Sequence, residues 1–324
     1  MGRRKANLAG KFLGDFLLDR MIGEGSFSWV YRGATRDAVR YRAFKIAKPR
    51  DLAAAGGTLG GVRTRAMECD SEGITYVHPL PAQLLALQSR KLQLTDEPAV
   101  VRVEALVEDE NACYSRMELL EGRTLRQLMD AGCDVIAIII AVARSMDRLS
   151  RNKQFVYHGD LTPDNIIVTA SGPKLIDPGY FGPMQCEERY IEKCLITTPI
   201  YYPLLEPDDL LALGLITWEA VCGSHPLKRG EEQEEEAQPE TVGDDLSNWV
   251  HRREVSGKNF ITAFLRILRP REIRPELSEK VESILLRAVR LKVRPDGVID
   301  RDVGYRDFAE LAQDLETLRN PSIA

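Results

Sequence analysis

The stretch that decides the fold lies at residues 158–179 and reads HGDLTPDNIIVTASGPKLIDPG. Two short apolar runs flank a turn at residues 170–173 that contains Gly and Pro. This pattern predicts a β-hairpin. The hairpin would bring Asp160, Asn165 and Asp177 close together. Two carboxylates and an amide around one hairpin favour a hard, oxygen-ligated cation beside a general base.

Upstream of this hairpin, residues 12–48 have the spacing of strands, with a glycine-bearing turn between two of them. The turn, at residues 23–31, reads GEGSFSWVY. Where side chains are missing, backbone amides can approach phosphate oxygens closely. Lys45 lies on an otherwise apolar face of a strand and is a compact cationic donor that suits phosphate. A plain tight turn and an edge lysine are the alternatives, but the two features together favour a phosphate site.

Further along the chain, the apolar spacing changes from that of strands to that of helices. A helix is predicted at residues 81–94, and two more strands at 100–107 and 112–118. After Gly122 the pattern is helical, with predicted helices at 125–129, 135–149, 210–221, 260–268, 278–293 and 308–318. Strands first and helices later predict an α+β fold with a small antiparallel sheet lobe and a larger helical lobe.

Two segments interrupt this layout. Residues 50–66 are rich in Gly and Ala and are interpreted as an insertion. Residues 231–236 read EEQEEE and are interpreted as a solvated loop, with the docking of a basic partner as the alternative.

The composition narrows the possible functions. The chain has 324 residues and a net charge of -5, which argues against bulk attraction to nucleic acid or to an anionic membrane. The longest apolar run, at residues 135–143, is too short to span a bilayer. The six cysteines form no paired motif, so we expect a reduced, cytoplasmic chain.

Several motifs follow one another with spacings that resemble those of a eukaryotic-like Ser/Thr protein kinase. They are Gly23-x-Gly25-x-Phe27-x-x-Val30, Ala43-x-Lys45, Met117-Glu-Leu-Leu-Glu-Gly122, His158-Gly-Asp160-x-x-x-x-Asn165, Asp177-Pro-Gly179, and the block from Asp209 to Pro226. The sequence is thus similar to a divergent, bacterial-type member of that family, with HGD in place of HRD and DPG in place of DFG. The resemblance implies the two-lobed protein-kinase fold.

The same resemblance implies a division of the chain into a central domain and two tails. The kinase-like domain would cover residues 12–318, with a small lobe at 12–120 and a large lobe at 121–318. Short tails would lie at residues 1–11 and 319–324.

The resemblance also implies site residues and two cofactors, ATP and Mg²⁺. Asp160 would act as the base, Asn165 and Asp177 would hold magnesium, and Lys45 would bind the α and β phosphates. The residues implied to surround the nucleotide are Ile22, Gly23, Gly25, Ser26, Val30, Ala43, Lys45, Met117, Glu118, Leu120 and Ile167.

Three positions depart from the family pattern. Gly159 replaces an Arg that often pairs with a phosphate on the activation loop, so we expect less control by loop phosphorylation. Thr162 replaces a γ-phosphate lysine, and Pro178 replaces the usual Phe beside the metal-binding Asp.

The acidic residue that normally orients the lysine is not evident. The register of the predicted helix places Gln88 at that position, where it can hydrogen-bond Lys45 without neutralising it. Glu68 and Glu72 are the alternatives.

Three functions remain open at this point. The first is a protein kinase that acts on Ser or Thr of a protein substrate. The second is a small-molecule phosphotransferase, because HGDLxPxN also resembles aminoglycoside and choline kinase-like enzymes. The third is a pseudokinase scaffold that binds nucleotide weakly or not at all. We expect no nucleic-acid or membrane partner, and the sequence sets neither the natural substrate nor the oligomeric state.

Overall fold

The computed structural model describes residues 8–49, 65–70, 73–76, 80–109, 112–186, 189–198, 200–204, 206–226, 268–293 and 299–319. The strands of this part of the chain are β1 Phe12–Leu13, β2 Phe16–Glu24, β3 Ser28–Thr35, β4 Tyr41–Ala47, β5 Arg65–Asp70, β6 Gly73–Tyr76, β7 Val103–Glu108, β8 Cys113–Glu118, β9 Gly122–Thr124, β10 Ile166–Thr169, β11 Gly172–Leu175, β12 Tyr180–Cys186, β13 Arg189–Thr197, β14 Leu291–Val293 and β15 Ile299–Arg301. The helices are α1 Pro81–Leu92, α2 Leu125–Asp130, α3 Ile136–Ser150, α4 Asp209–Cys222, α5 Pro270–Ile273, α6 Glu279–Ala288 and α7 Phe308–Arg319.

A six-stranded sheet carries the glycine-bearing turn. Its order is β1-β2-β3-β4-β8-β7, and all neighbouring strands are antiparallel. One face packs into a small aromatic core that includes Phe16, Trp29 and Phe44. Because inward and outward side chains alternate along a strand, the register of β3, β4 and β8 determines which residues face helix α1.

The helices form the larger part of the core. Helix α4 is buried over most of its surface, as expected for a helix that is apolar all round. Its start is fixed by Asp208, whose side chain accepts a hydrogen bond from the Leu211 amide at 3.1 Å. It ends at Gly223, which has a φ of 74°, a left-handed conformation that favours glycine. Helices α3, α6 and α7 pack around the same core.

A second sheet is not predicted by the sequence pattern. Its order is β12-β13-β5-β6, so strand β13 of the hairpin that follows Gly179 pairs with β5, which in turn pairs with β6 before α1. The hairpin buries apolar side chains against α1, in a cluster that includes Leu84, Met184, Ile191 and Ile196. Strand pairing therefore joins two segments that are more than a hundred residues apart in the chain.

Most predicted elements are present, with one clear error. The helix predicted at 278–293 ends at Ala288, and Leu291–Val293 is a strand that pairs with Ile299–Arg301. Arg290, with a φ of 61°, turns the chain between them.

Several predictions fall on residues that the structure does not describe. They concern most of the 50–66 insertion, the 231–236 acidic run, nearly all of the helix at 260–268, and Glu72. Within the described residues, no helix combines the length and the apolar character needed to cross a bilayer.

Candidate active site

The hairpin at the centre of the sequence pattern is present as β10 and β11. Ile166 pairs with Leu175 and Ile167 with Lys174, which confirms the predicted hairpin. The Ile176 amide donates to the Asn165 carbonyl at 3.0 Å and extends the pairing by one step. Asn165 and the chain leading to Asp177 consequently emerge at the same end of the hairpin.

A short 3₁₀ turn, Pro163–Asn165, sets the position of the asparagine. Proline suits the first position of such a turn, because its φ is fixed and it has no amide to satisfy. The Thr162 hydroxyl oxygen accepts a hydrogen bond from the Asn165 amide at 3.3 Å. Thr162 thus caps the turn that carries Asn165.

Asp160 is buried, and both oxygens of its carboxylate are held. Oδ1 accepts a hydrogen bond from the Thr198 amide at 2.6 Å, and Oδ2 accepts one from Asn165 Nδ2 at 3.0 Å. Asn165 Nδ2 also donates to the Asp160 carbonyl at 2.8 Å. Because both partners are acceptors, the amide group must present nitrogen to Asp160, and its oxygen is directed elsewhere.

Lys45 is buried on β4 and is held by two side chains. Its Nζ donates to Asp177 Oδ1 at 2.7 Å and to Gln88 Oε1 at 2.7 Å. The predicted contact between Gln88 and Lys45 is confirmed. The alternative, Glu68, is wrong, because this residue lies on β5 and forms an ion pair with Arg189.

Asp209, the first residue of α4, anchors the loop that carries Asp160. Its carboxylate accepts hydrogen bonds from the amides of His158 and Gly159, at 2.5 and 2.8 Å, and from the Tyr202 hydroxyl at 2.5 Å. Burial raises the pKa of Asp209, although these donors oppose the shift. The sequence pattern predicts the helix that begins near Asp209 but contains no signal for this anchoring contact.

His158 is a neutral, structural residue in this loop. It is fully buried, and burial lowers its pKa to about 3. Nδ1 accepts a hydrogen bond from the Asp160 amide at 3.3 Å, so Nε2 carries the proton and donates to the Ile176 carbonyl at 2.9 Å. The ring therefore ties the loop before Asp160 to the end of the hairpin.

The known proteins that resemble this chain in sequence are Ser/Thr protein kinases. No family model matches the sequence. The serine/threonine-protein kinase RAD53 of Saccharomyces cerevisiae is 25% identical over 185 residues, which cover 55% of this chain and 19% of the relative. The probable serine/threonine-protein kinase CPE1738 of Clostridium perfringens is 26% identical over 235 residues, which cover 68% of this chain and 30% of the relative. The chain thus spans less than a third of the length of either relative.

Two solved structures have a fold similar to that of this chain over almost its whole length. A mutant of the PknI kinase domain of Mycobacterium tuberculosis is similar with a TM-score of 0.55 at 17% identity, covering 98% of this chain and 100% of that one. The apo form of PpkA-294 is similar with a TM-score of 0.56 at 18% identity, covering 96% and 99%. The chain has the protein-kinase fold. The resemblance to Ser/Thr protein kinases and the predicted α+β class are therefore confirmed.

Within this kinase fold, strand register groups the residues predicted to surround a nucleotide. Val30 pairs with Lys45 across β3 and β4, and Ala43 pairs with Met117 across β4 and β8. Val30 and Leu120 pack against the apolar cluster that contains Ala43 and Met117. These residues therefore lie on or beside the strands that flank Lys45.

The remaining predicted nucleotide residues lie at the margins of this group. Ile22 is exposed beside the glycine-bearing turn, and Ile167 lies on β10. The Glu118 side chain accepts hydrogen bonds from Lys174 Nζ at 2.7 Å and from the Arg102 amide at 2.9 Å. Both contacts are made by Oε1 of this carboxylate, and the Glu118 amide donates to the Arg102 carbonyl at 3.0 Å.

The glycines of the turn are not required by the packing of the protein itself. A Cβ at Gly25 would approach nothing closer than Ser28, at 3.8 Å, and a Cβ at Gly23 would make only ordinary contacts with Val30, at 3.5 Å and beyond. Ser26 follows Gly25 at the start of the turn. Glycine at positions where the chain leaves room is consistent with the close approach of a ligand to the backbone.

Gly159, in place of the usual Arg, has a local cause in this kinase fold. Its φ is 84°, and a Cβ there would lie 3.0 Å from the Tyr157 ring and 3.2 Å from the Phe181 ring. The two rings contact each other edge to face, with centroids 5.7 Å apart. The two aromatic rings therefore pack against the backbone of Gly159.

The fit of a divalent cation can be judged from the donors present. Among the described residues, no group of three or more His, Cys, Asp and Glu side chains is placed to hold a metal. The Asp177 side chain is 37% exposed, and the Asn165 amide oxygen is directed away from Asp160. One carboxylate and one amide oxygen suit Mg²⁺, which usually completes its coordination with phosphate and water.

Proposed function

We propose that this chain transfers the γ-phosphoryl group of ATP to Ser or Thr hydroxyls of protein substrates, with Mg²⁺. The observation that carries this proposal is the pairing of Lys45 with Asp177 beside the pairing of Asn165 with Asp160. One pair supplies a cation and a metal-binding carboxylate. The other supplies a base and a metal-binding amide. The relationship to Ser/Thr protein kinases supports the same reaction.

Asp160 is suited to accept the proton of the substrate hydroxyl. As the oxygen–phosphorus bond forms, the bond between γ-phosphorus and the β–γ bridging oxygen breaks, and the hydroxyl proton passes to the Asp160 carboxylate. Hydrogen bonds from the Thr198 amide and Asn165 fix the orientation of this carboxylate. Such preorganisation contributes to the rate without any rearrangement during the reaction.

The phosphate groups would be held by Lys45 and by the turn that contains Gly23, Gly25 and Ser26. Lys45 is buried and directed at Asp177, so it is suited to bind where phosphate and metal would meet. A magnesium ion held by Asn165 Oδ1 and Asp177 would neutralise charge on the β and γ phosphates. The adenine ring would lie between Val30, Ala43 and Ile167.

The test is the transfer of labelled phosphate from ATP, with Mg²⁺, to casein and to the chain itself. We expect Asp160→Asn and Asp177→Asn to abolish labelling. Asp96→Asn, which changes an exposed carboxylate, is the matched control and should label as the wild type does. Equal labelling by the wild type and Asp160→Asn would show that Asp160 takes no part in the reaction.

A pseudokinase is the second candidate, and the contacts of Lys45 favour it. The partner of Lys45 on α1 is the neutral Gln88, and α1 contains no acidic residue that could balance the charge of the lysine. Thermal unfolding with millimolar ATP and Mg²⁺ separates the two candidates. Stabilisation without phosphate transfer would identify a nucleotide-binding pseudokinase, and stabilisation should be lost in Asp177→Asn.

A further inference from the structure

Lys91 has a partly buried amine that no step of the proposed reaction uses. It lies on α1, three residues after Gln88, and so on nearly the same face of the helix. Its Nζ donates hydrogen bonds to the His158 carbonyl at 3.1 Å and to the Gly179 carbonyl at 3.0 Å. It also lies 3.7 Å from the centroid of the Tyr157 ring, an arrangement that stabilises a cation.

The His158 carbonyl belongs to the segment His158–Asp160, and the Gly179 carbonyl belongs to the segment Asp177–Gly179. The two segments cross each other at this point. The Gly179 amide donates to the His158 carbonyl at 3.0 Å. A Cβ at Gly179 would lie 2.3 Å from the Gly159 carbonyl oxygen and 2.5 Å from the Ile196 carbonyl oxygen. Lys91 thus contacts both backbone segments where they cross. The crossing leaves no space for a side chain at position 179.

A lysine whose amine lies inside the protein is costly, since burial disfavours its charged form. Burial lowers the pKa of Lys91 to about 7, and the carboxylates of Asp209 on α4 and of Asp160 oppose the shift. His158 is neutral and adds no positive charge. An apolar residue would fill the same space at less cost, so the hydrogen bonds made by the amine give the reason for lysine here.

We propose that Lys91 is a positioning residue that joins α1 to the segments His158–Asp160 and Asp177–Gly179. Through this link, the helix that places Gln88 against Lys45 also fixes the loop that carries Asp160. Lys91 itself touches neither nucleotide nor substrate. The proposal deepens the proposed function, on which its kinetic part rests.

The experiment compares Lys91→Met, Lys91→Arg and Arg90→Met in the full chain. Met keeps the bulk of the side chain but removes the donors, whereas Arg keeps a cationic donor. Arg90 is the neighbouring residue on the exposed face, where it pairs with Glu108, and serves as the matched control. Two experiments are made: steady-state kinetics, which give kcat and KM for ATP, and amide hydrogen exchange in peptides covering 158–160 and 177–179.

For Lys91→Met we expect kcat to fall by about tenfold or more with KM for ATP changed less than about threefold, since the loss is one of alignment. Exchange should become faster in both peptides and not across the rest of the chain. Lys91→Arg should recover part of both signals, and Arg90→Met should match the wild type.

Wild-type exchange in both peptides of Lys91→Met would overturn the proposal, whatever the activity. Faster exchange spread evenly over the chain would also overturn it, because it would mark a general packing role. If Lys91→Met does not fold, Lys91→Gln retains an amide donor and gives the same two readings. A wild type that transfers no phosphate would instead refute the proposed function, while the exchange data still decide the role of Lys91.

Discussion

Gln88 binds Lys45 and Pro178 at the same time. Its Oε1 accepts a hydrogen bond from Lys45 Nζ at 2.7 Å, and its Nε2 donates one to the Pro178 carbonyl at 3.0 Å. A carboxylate at this position could hold the lysine but has no proton to donate to the carbonyl. The amide therefore links the lysine to the segment after Asp177 in a way that glutamate cannot reproduce.

Restoring the acid usual in kinases should lower activity. In Gln88→Glu, we expect kcat to fall by about tenfold, because a carboxylate would face the Pro178 carbonyl with no proton between them. Gln88→Ala should lose activity as well, since both contacts are removed. Steady-state kinetics and ATP titration of the two variants check this. An increase in kcat in Gln88→Glu would mean that holding Lys45 is the only function of Gln88.

The contacts around Gln88 also show what can be predicted from sequence. The family resemblance indicates that a helical residue contacts Lys45, and helical register identifies that residue as Gln88. The turn residues between two apolar runs predict the β10–β11 hairpin, which is a local signal contained within one turn. The placement of nucleotide residues comes from the family resemblance, and the roles of those residues remain proposals.

The missed features depend on contacts between distant segments. Strands β5 and β13 pair across more than a hundred residues, and neither has an apolar period that marks it as a strand on its own. Asp209 and Lys91 act through backbone groups of a loop that carries no sequence signal for its partners. Such contacts appear only once the fold has brought the segments together.

The glycine before Asp160 should be needed for stability. We expect Gly159→Ala to lower the free energy of unfolding by about 2–3 kcal/mol, from the left-handed backbone together with the clash with Tyr157 and Phe181. Gly132→Ala is the control, because Gly132 has a φ of 69° and a Cβ there would meet nothing within 4 Å. It should cost about 1 kcal/mol, the backbone part alone. Urea unfolding measures both, and equal losses would refute the contribution of the rings.

Activity should not depend on phosphorylation of the segment after Asp177. Between residues 177 and 206 the only Ser or Thr hydroxyls belong to Thr197 and Thr198, and both side chains are buried. Thr197 Oγ1 donates to the Gly159 carbonyl at 2.8 Å. The segment is already held by strand pairing, with Leu195 opposite Met67.

Two measurements follow from this arrangement. Treatment with a protein phosphatase should leave kcat unchanged. Thr197→Glu should lower kcat by about tenfold or more, because it places a buried charge against a carbonyl. Ser171→Glu, on the exposed β10–β11 turn, is the control and should retain activity. A large loss of activity on phosphatase treatment would show that a phosphorylated site elsewhere controls the proposed activity.

Stability should depend on pH through Lys91. Burial lowers the pKa of this residue from 10.5 to about 7 in the folded chain. Between these two values the unfolded chain binds a proton that the folded chain does not, so the free energy of unfolding rises with pH. Between about pH 7.5 and 9, the free energy of unfolding of the wild type should rise relative to that of Lys91→Met. The rise should approach about 1 kcal/mol per pH unit.

The low-pH limit separates this titration from a simple loss of packing in Lys91→Met. Well below the folded pKa of Lys91, which is about 7, both states carry the proton, so the stability difference between the two proteins should become constant. Urea unfolding at several pH values measures this, and Arg90→Met should parallel the wild type throughout. Lost packing alone would shift the curve of Lys91→Met by the same amount at every pH. Parallel curves for the wild type and Lys91→Met above neutral pH would therefore mean that Lys91 keeps its ordinary pKa in the folded chain.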